Sequence, residues 1–274
     1  MEKPAVVYLS RYGNPPRLAQ DFLASLKRHP AGADFDLILL LKGYPASETD
    51  PVLGQARDAL TVPLTELRMP DLGLSIDAFL YAAENLTSHR QLLFLTSYSQ
   101  VLADRWLAAY LAAFETAPDC GAVGATGSYE AIDGAAFPNP HLRTNAFMMD
   151  RRLLLGLGLP PPVTKSGNAA FEAGPESLTV QLRRQGLSPL VVDRHGARWP
   201  MAHWRESCTF RAGRQKNLLV SDNRTEDYMV VTRKRRRKQE RLAWGDSETA
   251  PFLGLTWGVW TPAATNARKR RASA

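Results

Sequence analysis

Over the first 130 residues, short and nearly unbroken apolar runs alternate with longer stretches in which apolar positions recur every three to four residues. Residues 5–9, 35–41, 91–95 and 122–125 are runs of the first kind. An apolar run of that length predicts a strand covered on both faces, as in a parallel sheet. The second kind predicts amphipathic helices. Leu18, Phe22 and Leu26 mark one that ends near Gly32, residues 76–86 form another, and Trp106, Leu107, Tyr110, Leu111 and Phe114 line one face of a third. A helical stretch is expected before residue 59 and a strand over residues 60–67. Turn-rich segments at 10–16, 43–45, 69–73 and 96–100 separate these elements. Strand–helix alternation of this kind predicts an α/β fold with a mostly parallel central sheet and flanking helices.

The pattern changes after residue 130. Residues 138–140 and 156–162 read as loops, and helical spacing returns over 177–185, with Leu178 and Leu182 inward and Gly186 as the stop. Residues 190–192 read as a strand. Periodicity weakens after Trp204, and beyond Tyr228 the chain reads as a charged helix followed by an irregular tail. No internal repeat is visible.

Composition adds little until charge is located. The 274 residues are 45% hydrophobic and 22% charged, ordinary for a globular chain. The apolar runs are far too short to span a bilayer. No basic, apolar leader precedes the first strand, so a cytoplasmic protein is expected. Cys120 and Cys208 stand alone, against a disulfide framework or a zinc site. The net charge is +7, but residues 233–241 carry +6 and residues 268–271 carry +4, which leaves −3 for the rest. Polyanion contact therefore belongs to the C-terminal part, with an anionic membrane surface at residues 233–241 as one partner and a peripheral place at the inner face of the membrane. No aromatic ladder for base stacking accompanies those charges, so no specific nucleic acid is expected.

Three phrases, in order, resemble the GT-A, nucleotide-diphospho-sugar transferase fold, and most of all the bacterial family-2-type glycosyltransferases. The first is Val6-Val7-Tyr8-Leu9-Ser10-Arg11-Tyr12-Gly13-Asn14, a strand running into a polar loop. In that family this loop holds the nucleotide, which implies Ser10, Arg11 and Asn14 as nucleotide-sugar-binding residues. The second runs from Asp71, Gly73 and Asp77 at a helix start to the buried strand that ends in Thr96-Ser97-Tyr98-Ser99. There the family carries a short acidic motif of the DxD type, which implies Asp71, Gly73, Asp77, Thr96, Ser97, Tyr98 and Ser99 as further nucleotide-sugar-binding residues. The third is Phe171-Glu172-Ala173-Gly174-Pro175-Glu176-Ser177-Leu178, which resembles the segment presenting a catalytic base, with Arg143-Thr144-Asn145 upstream on the acceptor side. The resemblance spans roughly residues 5–200. It implies a domain over residues 1–228, with a nucleotide-sugar half to about 130 and an acceptor half from 131, followed by a basic tail over 229–274.

Glycosyl transfer requires a stabilised diphosphate leaving group, deprotonation of the acceptor hydroxyl, and exclusion of water. A divalent ion, Mg²⁺ or Mn²⁺, meets the first need where carboxylates are present. Residues 96–99 offer hydroxyls and no carboxylate. Arg11, Arg143, Arg211 or Arg214 can supply the positive charge instead, and a metal held by Asp71 or Asp77 is the less favoured route. The general base is Glu172 or Glu176. A carboxylate at a helix start is also stabilised there by the dipole alone. His203 and Trp204 read as acceptor-side residues, the indole as a platform for a pyranose face, with a half-buried aromatic beside a satisfied histidine as the favoured plainer reading. The leading expectation is a hexosyl- or deoxyhexosyltransferase of polysaccharide biosynthesis, using a nucleoside-diphosphate sugar and a saccharide or lipid-linked acceptor. A catalytically degenerate binding or regulatory protein and a membrane or RNA adaptor acting through the tail are the alternatives.

Overall fold

The computed structural model describes residues 2–246, apart from 58–59, 133–134 and 160–162. The basic run at 268–271 and the rest of the expected tail beyond 246 lie outside the described residues. In chain order the first half comprises β1 (Ala5–Arg11), α1 (Pro16–Arg28), β2 (Asp36–Lys42), α2 (Pro51–Gln55), β3 (Leu64–Met69), α3 (Ser75–Asn85), β4 (Gln91–Leu95), β5 (Gln100–Val101), α4 (Trp106–Thr116) and β6 (Cys120–Gly124). The second half adds β7 (Gly127–Ser128), β8 (His141–Leu142), β9 (Ala146–Asp150), α5 (Arg151–Gly156), α6 (Lys165–Ala173), α7 (Leu178–Arg184), β10 (Ser188–Val192), β11 (Arg198–Pro200), β12 (Val220–Ser221), α8 (Asn223–Val230) and α9 (Arg233–Trp244).

Eight strands form the central sheet in the order β11-β10-β6-β9-β4-β1-β2-β3. The pairs β1–β2, β2–β3, β1–β4 and β6–β10 are parallel. β9 is antiparallel to both β4 and β6, and β11 is antiparallel to β10. The unbroken apolar runs follow from burial on both sides. Val7, Leu9, Ile38, Leu40, Leu92 and Phe94 face α3, α5, α6 and α7, while Val6, Tyr8, Leu37, Leu39, Leu93 and Leu95 face α1 and α4. Successive side chains on a strand point to opposite faces, so a strand with helices on both sides needs apolar residues at every position.

Two features position the site. The chain steps outward from β1 to β2 and β3, then returns to place β4 on the other side of β1. Where strand order reverses in this way, the loops at the C-terminal strand ends diverge and leave a crevice. The second feature is β9, a strand that the sequence pattern did not reveal. Ala146 pairs with Leu95 in antiparallel register, so Arg143, Thr144 and Asn145 sit over the C-terminal end of β4.

The C-terminal helices are fastened to this body. β12 pairs with β5, and Asp222 caps α8 by accepting from the Thr225 amide. The Arg236 guanidinium donates to the carbonyls of Tyr228 and Met229 at the end of α8 and lies over the Tyr228 ring. Trp244 is buried and its Nε1 donates to the carbonyls of Phe210 and Arg211. The expected boundary at residue 228 thus falls inside α8, and the described part of the 229–274 segment packs against the body through its last turn. No helix among the described residues is long and apolar enough to cross a membrane.

Candidate functional site

At the crevice, the end of β1 supplies Ser10 and Arg11. The Ser10 hydroxyl donates to Asp50 Oδ2 at 2.6 Å and meets the Tyr44 hydroxyl at 2.7 Å. Asp50 also caps α2 by accepting from the amides of Val52 and Leu53. Arg11 forms a two-pronged bond to Asp71, Nε to Oδ1 at 3.0 Å and the second nitrogen to Oδ2 at 2.8 Å, and the buried Lys42 ammonium joins the same carboxylate. Hydrogen bonds from Arg11 and Lys42 pull the Asp71 pKa down to about 2. Two cations share the Asp71 carboxylate, and Asp50 sets a second carboxylate beside Ser10. Asn14 closes the turn before α1, its amide bonded to the Arg11 carbonyl. Tyr12 and Tyr44 meet edge-to-face at 5.4 Å on the rim.

Gly73 and Asp77 have a local role at the start of α3. Gly73 has φ +62°, and a Cβ there would stand 2.2 Å from the Asp77 carboxyl carbon. That close approach lets Asp77 Oδ2 accept from the Leu74 amide at 2.7 Å and cap the helix, while Asp77 Oδ1 is buried without a partner among the described residues.

The loop after β4 is tied to its neighbours on both sides. Ser97 Oγ donates to the Leu9 carbonyl, and the Tyr8 hydroxyl donates to the Ser97 carbonyl. The Thr96 amide and Ser99 Oγ donate to the Asn145 carbonyl. Tyr98 is exposed. Thr96, Ser99 and Asn145 are therefore brought together, and the serine hydroxyls at 97 and 99 are largely used in holding the loop.

Arg143 is the centre of a buried polar cluster. Its guanidinium donates to Asp222 Oδ2 at 2.8 Å and to Thr126 Oγ1 at 3.3 Å, and lies 4.2 Å from the centre of the Phe210 ring. Arg211 packs on the same ring at 4.9 Å and donates to Glu130 at 3.0 Å. Burial lowers the Arg211 pKa from its ordinary value, and the Glu130 charge opposes that. Thr126 also donates to Asn145 Oδ1 at 2.9 Å, leaving the buried Asn145 amide nitrogen unpartnered among the described residues. The Phe210 segment has an unusual backbone: Cys208, Arg211, Arg214 and Gln215 all have positive φ, between 42° and 55°. Such conformations cost about 1–3 kcal/mol each outside glycine. The two Trp244 bonds hold the segment there, together with Gln215, which accepts from the Arg211 amide and donates to the Thr225 carbonyl.

The two candidate bases have different fates. Glu172 Oε2 accepts from both the amide and the hydroxyl of Thr144, beside Arg143 and Asn145. His141 is buried near it, and burial lowers the imidazole pKa while the Glu172 charge raises it. Glu176 instead faces solvent and pairs with Arg184 and Gln181 of α7. Its pKa falls mainly because of Arg184. His203 is exposed. Trp204 is fully buried, its Nε1 donating to the Trp199 carbonyl. Its ring lies so close to Gly127 that a Cβ there would stand 2.3 Å away. An indole enclosed in this way offers no face to a pyranose, which corrects the platform expected of it. Lys42, Tyr44, Asp50, Thr126 and Asp222 were not singled out from sequence. None stands in a recognisable motif, and only chain crossings far apart in sequence bring them to the crevice.

The donor set does not fit a divalent cation. Residues 96–99 contribute no carboxylate, Asp71 is occupied by two cations, and Asp77 caps its helix. Among the described residues no group of three or more His, Cys, Asp or Glu side chains is placed to hold a metal ion.

No protein-family model matches the chain, and no curated protein matches it. Solved structures do. GalNAc-T7, crystallised with UDP, GalNAc and Mn²⁺, is 14% identical with a TM-score of 0.50, the match covering 69% of this chain and 41% of that one. S. aureus TarS 1–349 is 14% identical with a TM-score of 0.42, covering 62% of this chain and 53% of that one. The mannosyltransferase PcManGT from Pyrobaculum calidifontis, in complex with GDP-Man and Mn²⁺, is 14% identical with a TM-score of 0.44, covering 58% and 48%. The chain thus spans about half the length of these proteins or less. At such identities the likeness is one of fold, and the sheet order agrees with it: the chain has a GT-A-like, nucleotide-diphospho-sugar transferase fold.

Proposed function

We propose that this protein is a glycosyltransferase that moves a sugar from a nucleoside-diphosphate donor to a saccharide or lipid-linked acceptor. The observation that carries the reading is the 143–145 segment, whose Asn145 carbonyl is bonded to the carboxylate-free loop after β4 and whose Thr144 holds Glu172, beside the reversal of strand order. The Ser10–Asp50–Tyr44 cluster and the exposed Tyr12 ring form the nucleotide side. Arg11 and Lys42, with Arg143 deeper in, supply the positive charge that meets the leaving diphosphate. Guanidinium forks match phosphate oxygens and need no metal. No step is assigned to a divalent ion.

Glu172 is the general base. Thr144 fixes one of its oxygens through two hydrogen bonds, which orients the other to take the acceptor proton. Glu176, committed to Arg184 at the surface, is not. Glu172→Gln keeps the shape and removes the base, so turnover with a nucleotide sugar falls by about 10²–10⁴-fold while nucleotide affinity stays within a few-fold. Full activity in this variant would refute the assignment. A non-catalytic nucleotide-sugar-binding domain is the second reading, favoured by the lack of carboxylates at 96–99. It predicts thermal stabilisation by UDP-, GDP- or dTDP-sugars with no sugar released on prolonged incubation.

A further inference from the structure

On the side of the molecule formed by α9 and the segment before Phe210, a groove of about 820 Å³ is lined by Arg205, Arg233, Lys234, Arg237, Glu240 and Arg241, with Gly245 and Asp246 at one end. Arg233, Arg237 and Arg241 recur every four residues, so they project along one face of the helix, rising about 6 Å at each step. Arg205 closes the groove from across it. The seven basic residues of the α9 run are therefore not equivalent. Arg235 approaches Asp227, and Arg236 caps α8. The side chains of Arg205, Arg233, Lys234 and Arg237 have no ion-pair partner among the described residues. Arg241 stands 4.0 Å from Asp246, and Glu240 accepts from the Tyr228 hydroxyl.

Five cations against two carboxylates leave the lining at +3. Clustered unpaired arginines in a concave surface raise the local concentration of anions. A single carboxylate carries one charge, whereas a diphosphate concentrates two or three in the span of one guanidinium pair, with oxygens suited to forked bonds. A second cavity of about 390 Å³ shares Arg205 and Glu240 with the first and reaches Arg211, which like Arg143 packs on the Phe210 ring.

The geometry points to this groove as a second anion site, separate from the nucleotide crevice, that binds a diphosphate group. Its role as the seat of a diphosphate-bearing acceptor, with the bound sugar directed along the second cavity, rests on the transferase reading. The site itself does not.

The test titrates inorganic pyrophosphate into the full chain by calorimetry at low and moderate NaCl. Binding is expected in the wild type, weakening with salt, and at least tenfold weaker in Arg205→Ala/Arg237→Ala. A second pair, Arg233→Ala/Arg241→Ala, gives the same loss. Arg233, Arg237 and Arg241 are exposed positions on α9 that tolerate alanine and Arg205 lies half-buried in a turn; circular dichroism with unchanged melting confirms that both variants fold. Affinity for a nucleotide sugar stays unchanged in both. No pyrophosphate binding, equal binding in wild type and variants, or binding confined to phosphatidylglycerol vesicles or single-stranded RNA overturns the inference. Loss of nucleotide-sugar binding in the wild type with pyrophosphate binding intact would instead overturn the transferase reading alone.

Discussion

The Arg143–Asp222 pair offers the sharpest check on how the C-terminal segment completes the site. Both side chains are almost wholly buried, at 9% and 2% exposure, and their contact is 2.8 Å. Removing one partner strands a charge in a poorly solvated place, a loss of about 3–5 kcal/mol. Asp222→Asn keeps an oxygen for the Thr225 amide, so the α8 cap survives while Arg143 loses both its counter-charge and its acceptor. Asp222→Ala also removes the cap of α8 and costs about 1 kcal/mol more. For a domain of this size each kcal/mol moves the melting temperature by about 2–4 °C. A 4 kcal/mol loss therefore lowers it by roughly 8–16 °C. Urea denaturation followed by tryptophan fluorescence gives the free energy directly, provided the slope is unchanged. The double variant Arg143→Met/Asp222→Asn should recover part of the loss, because neither charge then remains buried. If Asp222→Asn costs less than about 1 kcal/mol, or the double variant is worse than the sum of the singles, the pair is not the buried electrostatic tie described here.

Two further outcomes follow from burial elsewhere. Trp244→Ala removes a large buried side chain and both bonds that hold the positive-φ segment at Phe210 and Arg211, so a loss of about 3–5 kcal/mol is expected. Wild-type stability in that variant would mean that α9 is not anchored. His141, 1% exposed, has its pKa lowered by burial, so the unfolded chain binds its proton first as pH falls. Stability is then lost progressively below about pH 6.5, by at most about 1.4 kcal/mol per pH unit, until the folded-state pKa is reached. His141→Asn should flatten the pH dependence between 6.5 and 5, and an unchanged slope would assign it to other groups.

The strands at the centre of the sheet were legible in the sequence, and so was the layered architecture. Leu37 to Leu41 and Leu92 to Leu95 are apolar at every position, because helices cover both faces, and that requirement is local to each strand. The helix spacing of α1, α3 and α4 is local in the same sense. β9 was not legible. Ala146-Phe147-Met148-Met149 is an apolar run too short on its own to separate strand from helix, and it is a strand because β4 and β6 lie on either side with unpaired backbone groups. That pairing is what carries Arg143, Thr144 and Asn145 to the end of β4.

The same division separates Glu172 from Glu176. Four residues apart and alike in composition, they differ only in what faces them, Thr144 for one and Arg184 with solvent for the other. Trp204 was visible as an aromatic beside a histidine, but its enclosure depends on Gly127, 77 positions earlier. The basic run of 233–241 was plain from charge alone, yet its partition between capping α8 and lining a groove required the rotation of α9 fixed by Trp244. Local pattern therefore specified the elements, through propensity and two-sided burial. Contacts between distant segments decided which polar side chains meet, because desolvation and pairing depend on neighbours that only the folded chain supplies.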